Sequence, residues 1–301
     1  MSSRYFGTWV VVFFSVALVL LAAGCTGSPT ATPEPVPEPT AQPPAVTEPT
    51  ATLDPTPEPT EQPPVVAEPT ATLDPEAVDE LLIDAVRADD SAQAKRLLES
   101  GADAMVESSS GPVIILAAVK GNADVVALLV EHGADINAAS DRGLMPLTEA
   151  ARYGHIAVVE MLLDQGADVN VKEGSQSEST ALVNAALSDQ PEVARLLIDR
   201  GADINLADGQ GFTPLFAAAS HSVEITGILI DGGAAINTQA EGGQTALHSA
   251  VYENNIDAAR LLLEAGADLS LETNGGRTPL ELAVDRGRDE IAQLIREAGA
   301  E

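Results

Sequence analysis

The tripeptide Gly-Ala-Asp, or a near copy of it, stands at Gly101, Gly133, Gly166, Gly201, Gly233, Gly266 and Gly299, at intervals of 32, 33, 35, 32, 33 and 33 residues. A period of this length marks a chain built from stacked copies of one small unit, none of which can bury its apolar face alone. Aromatic residues make up only 3% of the chain. That suits helices packed on Leu, Val and Ala better than a β-sandwich.

The stretch between glycines has its own grammar. Thr213-Pro214 and Thr278-Pro279 set a capping hydroxyl just before a proline at the first helical position, which starts a helix sharply. Alanine pairs follow (Ala117-Ala118, Ala150-Ala151, Ala185-Ala186) and let neighbouring helices approach closely. A second helical stripe comes next, as in Val125 to Val130 and Val158 to Leu163, with apolar residues at i, i+1, i+3 and i+4. The glycine then ends that helix in a left-handed conformation. Asp135 and Asn137, Asp168 and Asn170, and Asp203 and Asn205 suit a tight turn through side-chain-to-backbone bonds. Each unit therefore reads as helix, turn, helix, hairpin loop.

This pattern resembles the ankyrin repeat, in seven units from about Glu76 to Glu301. The resemblance implies an all-α solenoid over residues 76–301. The first unit, Glu76 to Met105, lacks the Thr-Pro-Leu start and reads as a cap. The last stops at Glu301 without a further hairpin, so repeats are expected to use up the chain and leave nothing for a catalytic domain.

Two units depart from the pattern. The loop from Val171 to Ser179 is two residues longer than its neighbours; it is either a finger reaching for a partner or tolerated drift, since loop length costs little. The unit from Phe212 to Gly233 lacks one residue in its inter-helix turn, has Gly227 inside its second helix and Ala235 in place of the turn Asp. It is expected to be the weakest unit.

The remaining residues fall into two segments. Residues 1–25 resemble a bacterial lipoprotein signal peptide: Arg4, an apolar run from Trp9 to Ala23, and a lipobox Leu21-Ala22-Ala23-Gly24-Cys25. The apolar run is short for a membrane span, which needs roughly 20 residues. The resemblance implies lipidation of Cys25, an extracytoplasmic location and an anchor in the outer membrane or at the cell surface. Residues 26–75 form a Pro/Thr/Glu-rich linker, read as disordered, with a twenty-residue unit at Pro37–Thr56 repeated at Pro57–Glu76 and eight acidic groups without a basic one. Proline at this density blocks helix and strand, so the segment reads as an extended spacer. Cys25 is the only cysteine, so no internal disulfide forms.

Net charge is -31, which repels nucleic acid phosphates and anionic headgroups; no nucleic-acid partner is expected. The chain carries no HExxH, no P-loop, no complete GxGxxG and no Cys/His cluster, so no catalytic residue, metal or cofactor is assigned. His248, in Thr245-Ala246-Leu247-His248, reads as a residue that knits the helix start together. His132 and His155 read as solvated.

By resemblance, partners bind along the hairpin fingers and the concave side of the first helices. The candidate binding residues are Arg87, Lys120, Arg142, Arg152, Tyr153, Phe212, His221, Tyr252, Arg277 and Arg286. Glu173 and Gln176 are counted among the fingers. Tyr and Arg are frequent interface anchors, and the cluster reads as a locally basic groove for an extended or acidic protein segment. A structural spacer of the envelope and an enzyme with an unrecognised site are the alternatives.

Overall fold

The structure is a computed structural model, and it describes residues 74–174 and 177–299. Residues 1–73, Cys25 and the repeated linker unit among them, lie outside the described residues, as does Gln176. Seven helix pairs follow one another: α1 Pro75–Arg87 and α2 Ser91–Glu99, α3 Val113–Lys120 and α4 Ala123–Glu131, α5 Pro146–Arg152 and α6 Ile156–Asp164, α7 Ala181–Leu187 and α8 Pro191–Asp199. Then come α9 Pro214–His221 and α10 Val223–Asp231, α11 Ala246–Glu253 and α12 Ile256–Glu264, and α13 Pro279–Asp285 and α14 Asp289–Glu297. We number these pairs units 1 to 7. Strands β1 Glu107–Ser108 and β2 Gly111–Pro112 pair antiparallel in the hairpin between units 1 and 2.

Local chemistry fixes each element. Thr180, Thr213 and Thr278 cap α7, α9 and α13 by accepting from the N–H groups of Val183, Phe216 and Glu281, each at 3.2 Å. Asp90, Asn122, Ser222 and Asn255 do the same for second helices. The repeating glycine after each second helix has positive φ, from 84° at Gly233 to 111° at Gly299, a region that penalises a Cβ. Beyond it, Asp135, Asp168 and Asp203 each accept from the N–H two residues on at 2.9 Å.

Packing follows from the register. First helices pack on first helices and second on second along the row. Leu147, Leu182, Leu215 and Leu247 of the first helices, and Leu129, Leu162, Leu197, Leu229 and Leu262 of the second, are fully buried. Each such side chain contributes about 1.5–3 kcal/mol when buried. The alanine pairs are fully buried between first helices, where any longer side chain would force the layers apart. Unit 5 departs as its sequence predicts: Ser222 alone separates α9 from α10, and Gly227 lies within α10.

Two sequence expectations are corrected. Glu173 is not a fingertip group but a buried one, 2% exposed, because the longer loop turns its carboxylate inward against Asn184. His155 is half-buried rather than solvated, and its Nε2 donates to the Val119 carbonyl.

Candidate functional site

The first helices end in a column of side chains that no later element covers. Lys120, Tyr153, Leu187, His221 and Tyr252 stand at or beside the ends of α3, α5, α7, α9 and α11, all exposed. Arg87 ends α1 in the same way, and Arg286 follows α13. A buried alanine pair precedes Lys120, Tyr153, Leu187 and His221, and Ala250-Val251 takes its place before Tyr252, which holds these helix ends in step. The Arg286 guanidinium lies over the Tyr252 ring, 3.3 Å from its centroid, a cation–π contact that presents both as one surface.

The cations on this face are mostly engaged. Arg87 pairs with Asp84 at 3.0 Å and Arg277 with Asp285 at 3.1 Å. Arg152 lies between two buried carboxylates, Nε 3.2 Å from Glu149 and Nη2 3.4 Å from Glu173. Asn184 donates to Glu173 at 2.7 Å, and Ser179 donates to Asn184 at 2.8 Å. Burial raises the Glu149 carboxyl above its ordinary value; Arg152 partly offsets this and Glu173 adds to it. Of the six cations assigned from sequence, Lys120, Arg142 and Arg286 have no ion pair among the described residues, Arg286 lying over the Tyr252 ring instead. Three of the six charges of the basic groove expected from the sequence are thus matched by the chain's own acids.

On the finger side, Arg142 is exposed at the tip between units 2 and 3, and Phe212 is half-buried, stacked on Phe216 with centroids 4.3 Å apart. Backbone bonds stitch neighbouring fingers together. Gly174 N–H donates to the Gly143 carbonyl at 3.1 Å, Gly209 to Ser177 at 2.7 Å, Glu241 to Gln210 at 3.1 Å and Asn274 to Gly242 at 2.8 Å. Asp208 turns the finger before Phe212 by accepting from Gln210 and Phe212, and burial raises its carboxyl above the ordinary value.

Chemistry of other kinds finds little material. Among the described residues no group of three His, Cys, Asp or Glu side chains could hold a metal ion, and no helix is long and apolar enough to cross a membrane. His248 is buried: its Nδ1 accepts from the Thr245 N–H at 3.2 Å, and its Nε2 donates to the Arg277 carbonyl at 3.0 Å. Its neutral ring closes the start of α11 and ties it to the next finger.

The family model for ankyrin repeats in three copies matches residues 82–173, 171–240 and 222–301. The chain belongs to the ankyrin-repeat family. Ankyrin repeats mark a protein–protein interaction domain, and such domains are typically non-enzymatic. Among solved structures, the human ASB11 ankyrin repeat domain superposes with a TM-score of 0.66 at 23% identity, over 73% of this chain and 98% of that one. The Bcl-3 ankyrin repeat domain, from a member of the IkappaB protein family, gives a TM-score of 0.61 at 29% identity, over 72% and 97%. Sequence relatives share shorter stretches. The E3 ubiquitin-protein ligase XBAT33 of Arabidopsis thaliana is 38% identical over 82 residues, 26% of this chain and 16% of the relative. Dynein axonemal heavy chain 12 of Bos taurus is 44% identical over 61 residues, 20% and 17%. This ankyrin chain thus matches under a fifth of the length of either relative.

Sequence reasoning missed the Glu149–Arg152–Glu173 cluster. The signal was there in the repeat register: Glu149 and Asn184 occupy equivalent places, just before the alanine pair, where the same position of unit 5 carries Ala217.

Proposed function

We propose that the chain is an extracytoplasmic ankyrin-repeat module, lipid-anchored through Cys25, that binds a protein partner across its first-helix ends and fingers. The observation that carries the binding reading is the uncovered column itself, with Tyr153, Leu187 and Tyr252 exposed at the first-helix ends of units 3, 4 and 6. Tyrosine supplies large contact area at little conformational cost, and interfaces draw their anchors from tyrosine and arginine. The anchor reading rests on the lipobox, and the Pro/Thr/Glu linker then serves as the spacer between membrane and repeats.

Photocrosslinking tests the face. A benzoylphenylalanine placed at Tyr153 or Phe212 of the full chain in its host should trap one discrete protein, and the same group at Asp231 on the second-helix side should not. Crosslinks from Asp231 alone, or from no position, would overturn the reading. For the anchor, Cys25→Ser should abolish incorporation of labelled palmitate and shift the chain to the soluble fraction; unchanged labelling would remove that part.

A further inference from the structure

Large apolar groups left in water are the clearest guide to a surface made for contact. Eight are exposed among the described residues. Leu81, Met105 and Val284 belong to the end units, where fewer neighbours exist to cover them. The other five, Tyr153, Ile156, Leu187, Val223 and Tyr252, are 38–51% exposed and flank the inter-helix turns of units 3 to 6. They are not scattered: they run along the edge opposite the fingers, in four consecutive units.

Neighbouring turns touch, which makes these five groups one edge. Gly154 of unit 3 lies against the Gln190 side chain of unit 4, so close that a Cβ there would clash with its amide oxygen. Arg195 pairs with Glu224 at 3.2 Å across units 4 and 5, and Asn255 Nδ2 donates to the Ala219 carbonyl at 3.2 Å across units 5 and 6.

The rim of this edge carries unpaired acids. Asp189, Glu192, Glu253 and Asp257 are exposed in the same turns and have no cation partner among the described residues. Two of the cations nearby are occupied, Arg152 by Glu149 and Glu173 and Arg195 by Glu224, while Arg260, one turn beyond Asp257, is exposed without an ion pair among the described residues. Arg286 and Arg288 stand at the far end, the first over the Tyr252 ring and the second donating to the Tyr252 carbonyl at 3.2 Å.

We infer that this turn edge, continuous with the first-helix face, docks a cationic amphipathic segment of the partner protein, an inference that rests on the protein-binding reading above. The apolar row of the segment seats on Leu187, Val223 and their neighbours, and its Lys or Arg side chains meet the four free carboxylates. Dimensions agree: three repeat steps of about 10 Å match the roughly 30 Å length of a twenty-residue helix. The net charge of -31 draws such a segment in and repels anionic lipid and nucleic acid. This departs from the extended or acidic segment expected from the sequence, because Arg87, Arg152 and Arg277 already pair with acids of their own chain.

The test uses the full chain and a fluorescent twenty-residue Leu/Lys peptide with one apolar helical face, read by anisotropy. Controls are the same residues scrambled to remove the face, and the patterned peptide with Glu for Lys. The patterned Leu/Lys peptide should bind. Leu187→Ser with Val223→Ser should weaken it about tenfold or more at a temperature where melting of the same variant shows it fully folded, the two side chains being 45% and 38% exposed. Lys120→Glu with Arg142→Glu should not weaken it. Equal binding of the scrambled peptide would reduce the effect to net charge and overturn the inference, as would preference for the Glu peptide or failure of all three. If crosslinking at Tyr153 still traps a protein in those cases, the protein-binding reading survives and only the partner chemistry falls.

Discussion

The imidazole of His155 donates from Nε2 to the backbone carbonyl of Val119, 2.8 Å away and 36 positions earlier. Asn255 reaches the Ala219 carbonyl and Arg288 the Tyr252 carbonyl over the same separation. In each case the residue capping a second helix satisfies a carbonyl at the end of the preceding unit's first helix, a group that helix geometry leaves open. Three different donors thus perform one task. His155 does only half of what Asn255 does, because Asn255 also accepts from the Ala258 N–H and His155 caps nothing with its side chain.

His155→Ala should therefore cost about 1 kcal/mol by stranding the half-buried Val119 carbonyl. His155→Asn should instead gain about 0.5–1 kcal/mol, by adding the cap while keeping the strap. Urea unfolding of the two variants checks both signs, and a loss in His155→Asn would show that the ring's packing matters more than its bond.

Gly227 is an interior helical glycine with room for a side chain: a Cβ there would meet only Leu261 Cδ1, at 4.0 Å. Gly227→Ala should stabilise the array by about 0.5–1 kcal/mol. Hydrogen exchange should show α10 amides opening before those of α6 and α12, with the difference shrinking in the variant. Uniform protection across the internal units would contradict this.

His248 gives one pH dependence. Burial lowers its pKa below the ordinary 6.5, with the bond to the Arg277 carbonyl working the other way. The unfolded chain takes up the proton first, so this stability is complete above pH 6.5 and is lost as pH falls through the folded value. His248→Gln keeps an acceptor at the same capping position, and its stability should be flatter over that window in pH-dependent chemical unfolding.

Glu149 acts with the opposite sign. Its raised folded value means that the native state binds the proton more readily, so stability grows as pH falls through that value and levels off below the ordinary 4.5. Glu149→Gln should be more stable than the parent at pH 7, with the difference closing toward pH 4.5. A destabilised variant at neutral pH would mean that the attraction to Arg152 outweighs the burial of a second carboxylate.

What was legible in the sequence was what neighbouring residues decide. Thr213-Pro214 caps and starts α9 within four residues, and Asp168 turns its loop within three, so both stand where the sequence puts them. The site was less legible because its charges are settled between units. Arg152 meets Glu173 from 21 positions away, and Asn184 comes from the next unit to hold that same carboxylate. A residue count saw a basic face; only the folded register shows which acids already answer it. The apolar edge escaped for a related reason: Ile156 and Val223 follow the periodicity of core positions, and their exposure comes from standing at the first turn of their helices.

The straps at the turn edge are not evenly distributed. Asn122 bridges units 1 and 2 through Asp89 and Ser91, and His155, Asn255 and Arg288 tie units 2 to 3, 5 to 6 and 6 to 7. At the two joints between, Gln190 turns back to the Ser188 carbonyl of its own unit, and Ser222 offers a hydroxyl to Ile225. The finger bonds nevertheless continue across both joints, from Gly143 to Gly174 and from Ser177 to Gly209. Those two joints are held instead by charge: Arg200 reaches back to Glu160 and Asp164 across the first, and Arg195 meets Glu224 at 3.2 Å across the second. Salt therefore loosens the middle of the row before its ends, since screening weakens exposed ion pairs and leaves bonds to carbonyls in place.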